Sequence, residues 1–425
     1  MASYAKLEDE ERRMVRGMDL ADKLLLIEAR NNLHTLAQFR AAVRSGRPAA
    51  IVERSVLDTL DAMPVASGRE GQLAVEALGL AGEKLVCFTS GSSGSPKGIL
   101  RTYDSWRRTF ETQHKTIKCK ENASVLIIGN LAHSLHLYGA MEALDRGVVP
   151  TILDKLSPKH VLDTCRTLGL EIIYATPAHL NLLLAYARKK PVPPLPTVSH
   201  ILAGGAKLDE RHLSEIDALF PNARIVEFFG TTETSYITLK SPDAPTGSVG
   251  RAVPGVNLEI TDDDGRPLPP GEEGVLWINS DMLFERYLIG EDENTRWRDG
   301  FLTVGDQGFL DTDGNLFFTA RIGSMVTIAG ENVFLDHVER ALQMQIAEGE
   351  AAVLPIGDSL RGCRLVAMTQ VRVPDEQART VLRSLRNKFG PLKSPKTLVH
   401  VKDWPFLPSG KTDRQTLLKR LAENG

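Results

Sequence analysis

From residue 84 onward the chain alternates short apolar runs with helical stretches, and that alternation limits what it can fold into. KLVCF (84–88), SVLIIG (124–129), EIIYAT (171–176), HILAGG (200–205) and RIVEFFG (224–230) are compact apolar runs bounded by turn residues, the pattern of buried parallel strands. Between them, PAHLNLLLAYARKK (177–190) and DERHLSEIDALF (209–220) repeat apolar residues at helical spacing. Strand and helix in turn predict a layered α/β sheet, whose ligands lie beyond the carboxyl ends of its strands. Past Thr246 the helical spacing stops. NLEITD, GVLWINS and GNLFFTAR, separated by turns such as DDDG (262–265) and DTDG (311–314), predict a β-rich part over about 246–320. After Arg321, HVERALQMQ and EQARTVLRSLRNKF read as helices and CRLVAMTQV and TLVHVKD as strands, a small α+β unit. The expected division is a large α/β unit at 1–322 and a small, mobile α+β unit at 323–425. Upstream, the spacing in 19–43 predicts one amphipathic helix capped by Asp19, and PVPPLP (191–196) predicts a rigid loop.

A chain of 425 residues predicts about two or three folding units. Its 51 Lys+Arg against 54 Asp+Glu leave a net charge of −3, too balanced for a nucleic-acid binder. Cys87, Cys119, Cys165 and Cys363 form no CxxC pair, which argues against a zinc site or a disulfide framework and for a reducing compartment. The N-terminal stretch is charged throughout and lacks the apolar segment of an export signal, and 125–144 is interrupted by Asn130, His133, His136 and Glu142, too polar to span a membrane. A cytoplasmic protein with no membrane span is expected; the oligomeric state is left open.

The chemistry concentrates in TSGSSGSPKG (89–98), which follows KLVCF directly. Small residues let backbone N–H groups approach an anion, hydroxyls add donors and Lys97 adds positive charge, a combination suited to polyphosphate. The Walker spacing GxxxxGK[ST] is absent, because Pro96 precedes Lys97 and Gly98 follows it.

This decapeptide resembles the signature loop of the adenylate-forming enzymes, the superfamily of acyl- and aryl-CoA synthetases, peptide-synthetase adenylation domains and luciferase. Further stretches resemble that family's elements in its order. The loop would place Thr89, Ser90, Gly91, Ser92, Ser93, Gly94 and Lys97 around ATP. AGGAK (203–207) is similar to the element lining the adenine and acyl pockets, which implies Gly204, Gly205 and Ala206. FFGTTE (228–233) resembles the aromatic-Gly-x-Thr-Glu element: Phe229 would lie on adenine, with Gly230 and Thr231 beside it, Thr232 would touch the α-phosphate and Glu233 would help to hold Mg²⁺. Glu227 sits where the family places a residue near the adenine amino group. VGDQGFLDTDGNLFFTAR (304–321) implies Asp306 and Arg321 as ribose contacts, and Gly323 occupies the family's hinge position. GENVFLDHVE (330–339) resembles a structural element, and PSGKTDR (408–414) resembles the motif with the catalytic lysine, here Lys411.

The resemblance implies an AMP-forming acid–thiol ligase: a carboxylate attacks the α-phosphorus of ATP, pyrophosphate leaves, and a thiol of coenzyme A or a carrier-bound phosphopantetheine then takes the acyl group. Resemblance also places His133, Ser134 and Gly205 in the acid pocket, with His136 as the alternative to His133. Amino-acid-activating relatives carry an Asp at the position of Ser134; a serine cannot pair with an ammonium, so a non-amino acid is expected, with an aromatic acid favoured over a fatty one. The loop at Thr89 arrives early for the family, which implies an abbreviated segment before it. A nucleotide- or acyl-binding protein without catalysis is the competing expectation.

Overall fold

The computed structural model describes residues 4–17, 24–61, 72–73, 82–90, 96–290, 292–322, 325–328, 331–346, 348–358, 362–407 and 410–423. A seven-stranded sheet lies at its centre, in the order Thr151–Ile152, Val125–Ile127, Ile172–Ala175, His200–Ala203, Arg224–Phe229, Thr238–Leu239 and Arg251–Ala252. The first five strands are parallel and the last two antiparallel. Alternate residues divide between two cores. Val125, Ile127, Ile172, Tyr174, Leu202 and Val226 pack on one face with the helices Tyr103–Ile117 and Ser134–Asp145. Leu126, Ile173, Ala175, Ile201 and Ala203 pack on the other with Pro158–Leu168, Pro177–Lys189 and Leu213–Leu219. Burial on both faces explains why these strands read as continuous apolar runs.

A second, six-stranded sheet runs Arg286–Ile289, Pro96–Thr102, Lys84–Ser90, Ala49–Val52, Leu24–Glu28, Gln72–Leu73. Two expectations change here. KLVCF is parallel only to Ala49–Val52; on its other side it pairs antiparallel with Pro96–Thr102, so the glycine-rich loop closes a hairpin. The helix expected over 19–43 is a strand, Leu24–Glu28, followed by a helix, Leu33–Arg44, capped by Asn32, whose Oδ1 accepts from Thr35 N at 2.9 Å. A short apolar run such as LLLIE fits helix and strand spacing equally, and pairing with the wholly buried strand AAIV decides for strand. Asp19 lies outside the described residues.

The β-rich part forms as expected, a six-stranded antiparallel sheet that includes Val256–Thr261, Gly274–Ser280, Asp306–Leu310 and Leu316–Arg321. Toward the C-terminus the hairpin Ala351–Asp358/Gly362–Thr369 takes Leu398–His400 as a parallel third strand. Helices Leu335–Gln343 and Asp375–Phe389 cover one face, and Arg414–Glu423 packs on the other through Leu417. This unit rests on the preceding sheets: Arg340 donates to the carbonyls of Phe318 and Thr319 at 3.1 and 2.9 Å, and Arg211 to that of Ile346 at 2.7 Å. The mixed α/β class stands as read. Among the described residues no helix is long and apolar enough to cross a membrane.

Candidate active site

The glycine-rich loop is carried by paired strands, with Thr89 opposite Lys97 and Ser90 opposite Pro96. Gly91, Ser92, Ser93 and Gly94 lie outside the described residues. Lys97 Nζ donates to Asp292 Oδ2 at 2.6 Å. Burial of Asp292 opposes its ionisation, but the bond from Lys97 and the Asn294 N–H outweigh it and hold the carboxyl below its usual range.

Gly230 follows the strand Arg224–Phe229 where nothing larger fits, since a Cβ there would lie 1.7 Å from the Ser235 carbonyl oxygen. The turn it opens is closed by reciprocal Thr231–Thr234 hydrogen bonds of 3.0–3.2 Å. Thr232 Oγ1 shares a 3.0 Å hydrogen bond with Ser134, and Glu233 Oε1 accepts from the Tyr287 hydroxyl at 2.9 Å. Tyr287 also lies 5.9 Å beneath Lys97 Nζ, so one ring connects the hairpin to this turn. Behind the turn sits Arg101, fully buried, donating to the carbonyls of Thr232 (2.6 Å), Glu233 (3.1 Å) and Met282. Burial lowers its pKa to about 10, which still leaves it charged.

Strand pairing sets Asp306 opposite Arg321, and the guanidinium grips the carboxylate at 2.6 and 3.1 Å. Asp306 has no exposure to solvent; its charge raises the Arg321 pKa further. A ribose diol would therefore meet a carboxylate already engaged, using the second lone pair of each oxygen.

Lys411 comes to this place from the far end of the chain. Leu407 N–H donates to its carbonyl at 2.7 Å and Gly410, at φ +80°, turns the backbone inward. A Cβ on Gly410 would lie 2.7 Å from Thr176 Oγ1, too close for any other residue, while Gly205 needs glycine for its φ of +86°, with Lys411 Cε 4.0 Å from where a Cβ would stand. Crowding by the protein and then the Arg321 guanidinium lower the Lys411 pKa, with Glu233 and Asp306 pulling the other way. These four side chains form one electrostatic group. Three residues on, Arg414 grips Glu339 with two 2.7 Å bonds, joining GENVFLDHVE to the lysine loop.

At the end of the neighbouring strand, a Cβ on Gly204 would lie 2.7 Å from the Phe228 ring, Ala206 is exposed, and Phe229 stands 5.3 Å from Phe318. Glu227 Oε1 accepts from Leu208 N–H at 2.9 Å and its other oxygen lies 3.6 Å from Lys240 Nζ. His133 Nε2 is 3.3 Å from Glu53 Oε1. His136 is fully buried against Gly129, 5.3 Å from the His179 ring, and neither of its ring nitrogens has a partner among the described residues. Burial, then His179 and His133, push its pKa well down, and burial takes His179 to about 4. His179 Nδ1 accepts from Thr176 N–H, which leaves its proton on Nε2.

Lys411, Glu233, Asp306 and Arg321 are thus brought together, with Gly205 beside the lysine and Ser134 on Thr232. Gly323 lies outside the described residues. Arg101, Tyr287, Asp292, Thr176 and Glu53 were not singled out in the sequence; only their partners in space mark them. No set of three His, Cys, Asp or Glu able to hold a metal occurs among the described residues.

The family described as AMP-binding enzyme matches residues 83–288. YhfT of Bacillus subtilis strain 168, named an uncharacterized acyl-CoA ligase, is 31% identical over 340 residues, covering 79% of this chain and 68% of the relative. VraA of Staphylococcus haemolyticus, named a putative long chain fatty acid-CoA ligase, is 29% identical over 337 residues, 78% and 68% of the two chains. Among solved structures, ATP-bound MatB from Rhodopseudomonas palustris superposes with a TM-score of 0.78 at 22% identity over 98% of this chain and 93% of that one. o-Succinylbenzoate CoA synthetase (MenE) from Bacillus subtilis, holding its acyl-adenylate, gives 0.76 at 20% identity over 97% and 92%. Fold and site define an adenylate-forming ligase. The chain belongs to the AMP-binding enzyme family.

Proposed function

We propose that this enzyme condenses a compact, non-amino carboxylic acid with ATP, releases pyrophosphate, and passes the acyl group from its adenylate to the thiol of coenzyme A, with a phosphopantetheine-bearing carrier protein as the other acceptor of the same chemistry. The observation that carries the reading is that Lys411, whose Cε lies 4.0 Å from where a Cβ on Gly205 would stand, comes within electrostatic reach of Glu233, Asp306 and Arg321. As carboxylate oxygen attacks the α-phosphorus, negative charge grows on the phosphoryl oxygens, and an ammonium placed there stabilises the transition state more than the ground state. Thr232 and the hairpin carrying Lys97 hold the phosphates; Asp306 and Arg321 hold the ribose; Phe229, Gly204, Ala206 and Glu227 receive the adenine. When bound with ATP at Glu233, Mg²⁺ supplies Lewis-acid charge to the phosphates. We assign 1–322 to the body of the site and 323–425 to the unit that presents Lys411.

An aromatic acid is favoured by the packing at the strand ends. His136 packs against Gly129 at the limit of approach, with a Cβ position 2.0 Å from the ring. Such a wall suits a short planar acid. The names of the VraA relatives favour a fatty acid instead. Acid-dependent exchange of labelled pyrophosphate into ATP, measured with benzoate-type and fatty acids in parallel, decides: exchange with benzoates is expected, exchange with long-chain acids alone would reverse the substrate assignment, and none with any acid would remove the ligase reading.

A further inference from the structure

We propose that Glu53 and His133 form a proton-accepting pair for the second half-reaction, in which His133 takes the proton of the attacking thiol and Glu53 orients the imidazole. The inference rests on the ligase reading above.

The two residues reach each other from different sheets. Glu53 follows the buried strand Ala49–Val52, while His133 follows Val125–Ile127 and stands at the start of the helix Ser134–Asp145, which it does not cap through its side chain. The loop between strand and helix is tied back to the first sheet's connection by Leu131 N–H donating to Asn31 Oδ1 at 3.0 Å. The carboxyl ends of both sheets therefore meet at this point. Glu53 Oε1 and His133 Nε2 face each other at 3.3 Å, and both atoms are buried without a hydrogen-bond partner among the described residues. A buried carboxylate oxygen and a buried ring nitrogen left unmatched at that distance need a reason. A small rotation aligns Nε2–H on the carboxylate, which fixes the tautomer and leaves the Nδ1 lone pair as the base.

Position agrees. The neighbouring Ser134 is bonded to Thr232, one residue from Glu233, so His133 adjoins the turn at which the adenylate forms. The side chains of His133 and Glu53 keep 24% and 23% exposure, enough for a thiol to approach. The groups facing His133 are the Glu53 carboxylate at 3.3 Å and the rings of His136 and His179, both of which stay neutral at pH 7 because burial lowers them.

The step balances without another reactant. The S–H proton moves to Nδ1 as sulfur bonds to the acyl carbon; the acyl carbon–oxygen bond breaks and its electrons leave with AMP; Glu53 offsets the imidazolium until it releases the proton to solvent.

The full-length protein should be given benzoyl-adenylate and coenzyme A in single-turnover mixing from pH 5.5 to 9, with acid-dependent pyrophosphate exchange measured on the same samples. E53Q is expected to slow AMP release at pH 7 by roughly tenfold to a hundredfold, with pyrophosphate exchange falling at least tenfold less. The deficit should close near pH ~8.5 and above, where the thiol ionises unaided, and E53D should recover part of the rate. H133Q should give the same pH signature with a larger deficit. Profiles for E53Q that superimpose on wild type, or a loss equal in both half-reactions at every pH, would overturn the pair while wild-type exchange leaves the ligase reading standing. Wild-type protein that neither exchanges pyrophosphate nor consumes benzoyl-adenylate would overturn both.

Discussion

Around the Thr231–Glu233 turn, Lys97 is held by Asp292, Asp306 by Arg321 and Glu233 by Tyr287. Around the start of the helix Ser134–Asp145, His136 is buried with both nitrogens unmatched among the described residues, and His133 and Glu53 face each other without an aligned bond. The first arrangement is satisfied within the protein, which on the proposed function is electrostatic preorganisation for a nucleotide that never varies. The second leaves polar capacity that, on the same reading, a varying acid and a thiol would use. Such a site would be satisfied where its chemistry is constant and unsatisfied where its specificity lies.

Removing the lysine is the strongest way to break this comparison. Lys411→Ala should lower adenylate formation about 10²–10³-fold, the scale of losing one charged transition-state contact, with the rate of thiolysis from supplied acyl-adenylate falling at least tenfold less; stopped-flow AMP release reads the second step. Equal losses would place Lys411 in a general structural role. Gly230→Ala comes next. Its Cβ meets backbone oxygen at 1.7 Å, so the Thr231–Glu233 turn must shift, and a displacement of that size costs about 10²-fold in pyrophosphate exchange. Gly129→Ala, whose Cβ at 2.0 Å meets the His136 ring rather than backbone, should cost less exchange but change the ranking of acids. The contrast sharpens if the first variant loses rate for all acids and the second for some.

Asp306→Asn should raise the KM for ATP and lower the melting temperature. Breaking a buried ion pair costs about 3–5 kcal/mol; Arg321 retains 46% side-chain exposure, so water compensates and about 1–3 kcal/mol is expected. The smallest effect concerns pH. His136 and His179 are buried neutral, with pKa values below those of unfolded histidine, so the unfolded chain binds more protons as pH falls below about 6.5. Stability from these two groups is complete above that pH and declines toward pH 4. Melting curves of His136→Leu should show a shallower decline between pH 6.5 and 4.5 than wild type.

The parallel strands were legible because burial on both faces leaves a continuous apolar run; Glu233, Asp306 and Lys411 were singled out through the resemblance of their stretches to a known family's elements, since a charged residue in a turn or a terminal lysine by itself is commonly only solvated. Leu24–Glu28 was not, since its state depends on a partner strand more than twenty residues on. Arg101 was hidden for a similar reason: within PKGILRT it is an ordinary strand residue, and only folding shows three carbonyls arranged around it. Asp292 and Glu53 stand outside every motif; each matters through one contact with a residue far away in sequence. Glycine was readable where it bears on a phosphate loop, while the need for it at Gly129 and Gly139 depends on rings from other segments.

The claim beneath all of this is that the acid's carboxylate oxygen attacks the innermost phosphorus of ATP. Turnover of benzoate labelled with ¹⁸O in both carboxylate positions, with ATP and coenzyme A, followed by mass spectrometry of the nucleotide and the phosphates, tests it directly. The account predicts one ¹⁸O in AMP and none in pyrophosphate or orthophosphate. Label in orthophosphate with ADP as the nucleotide product would contradict it.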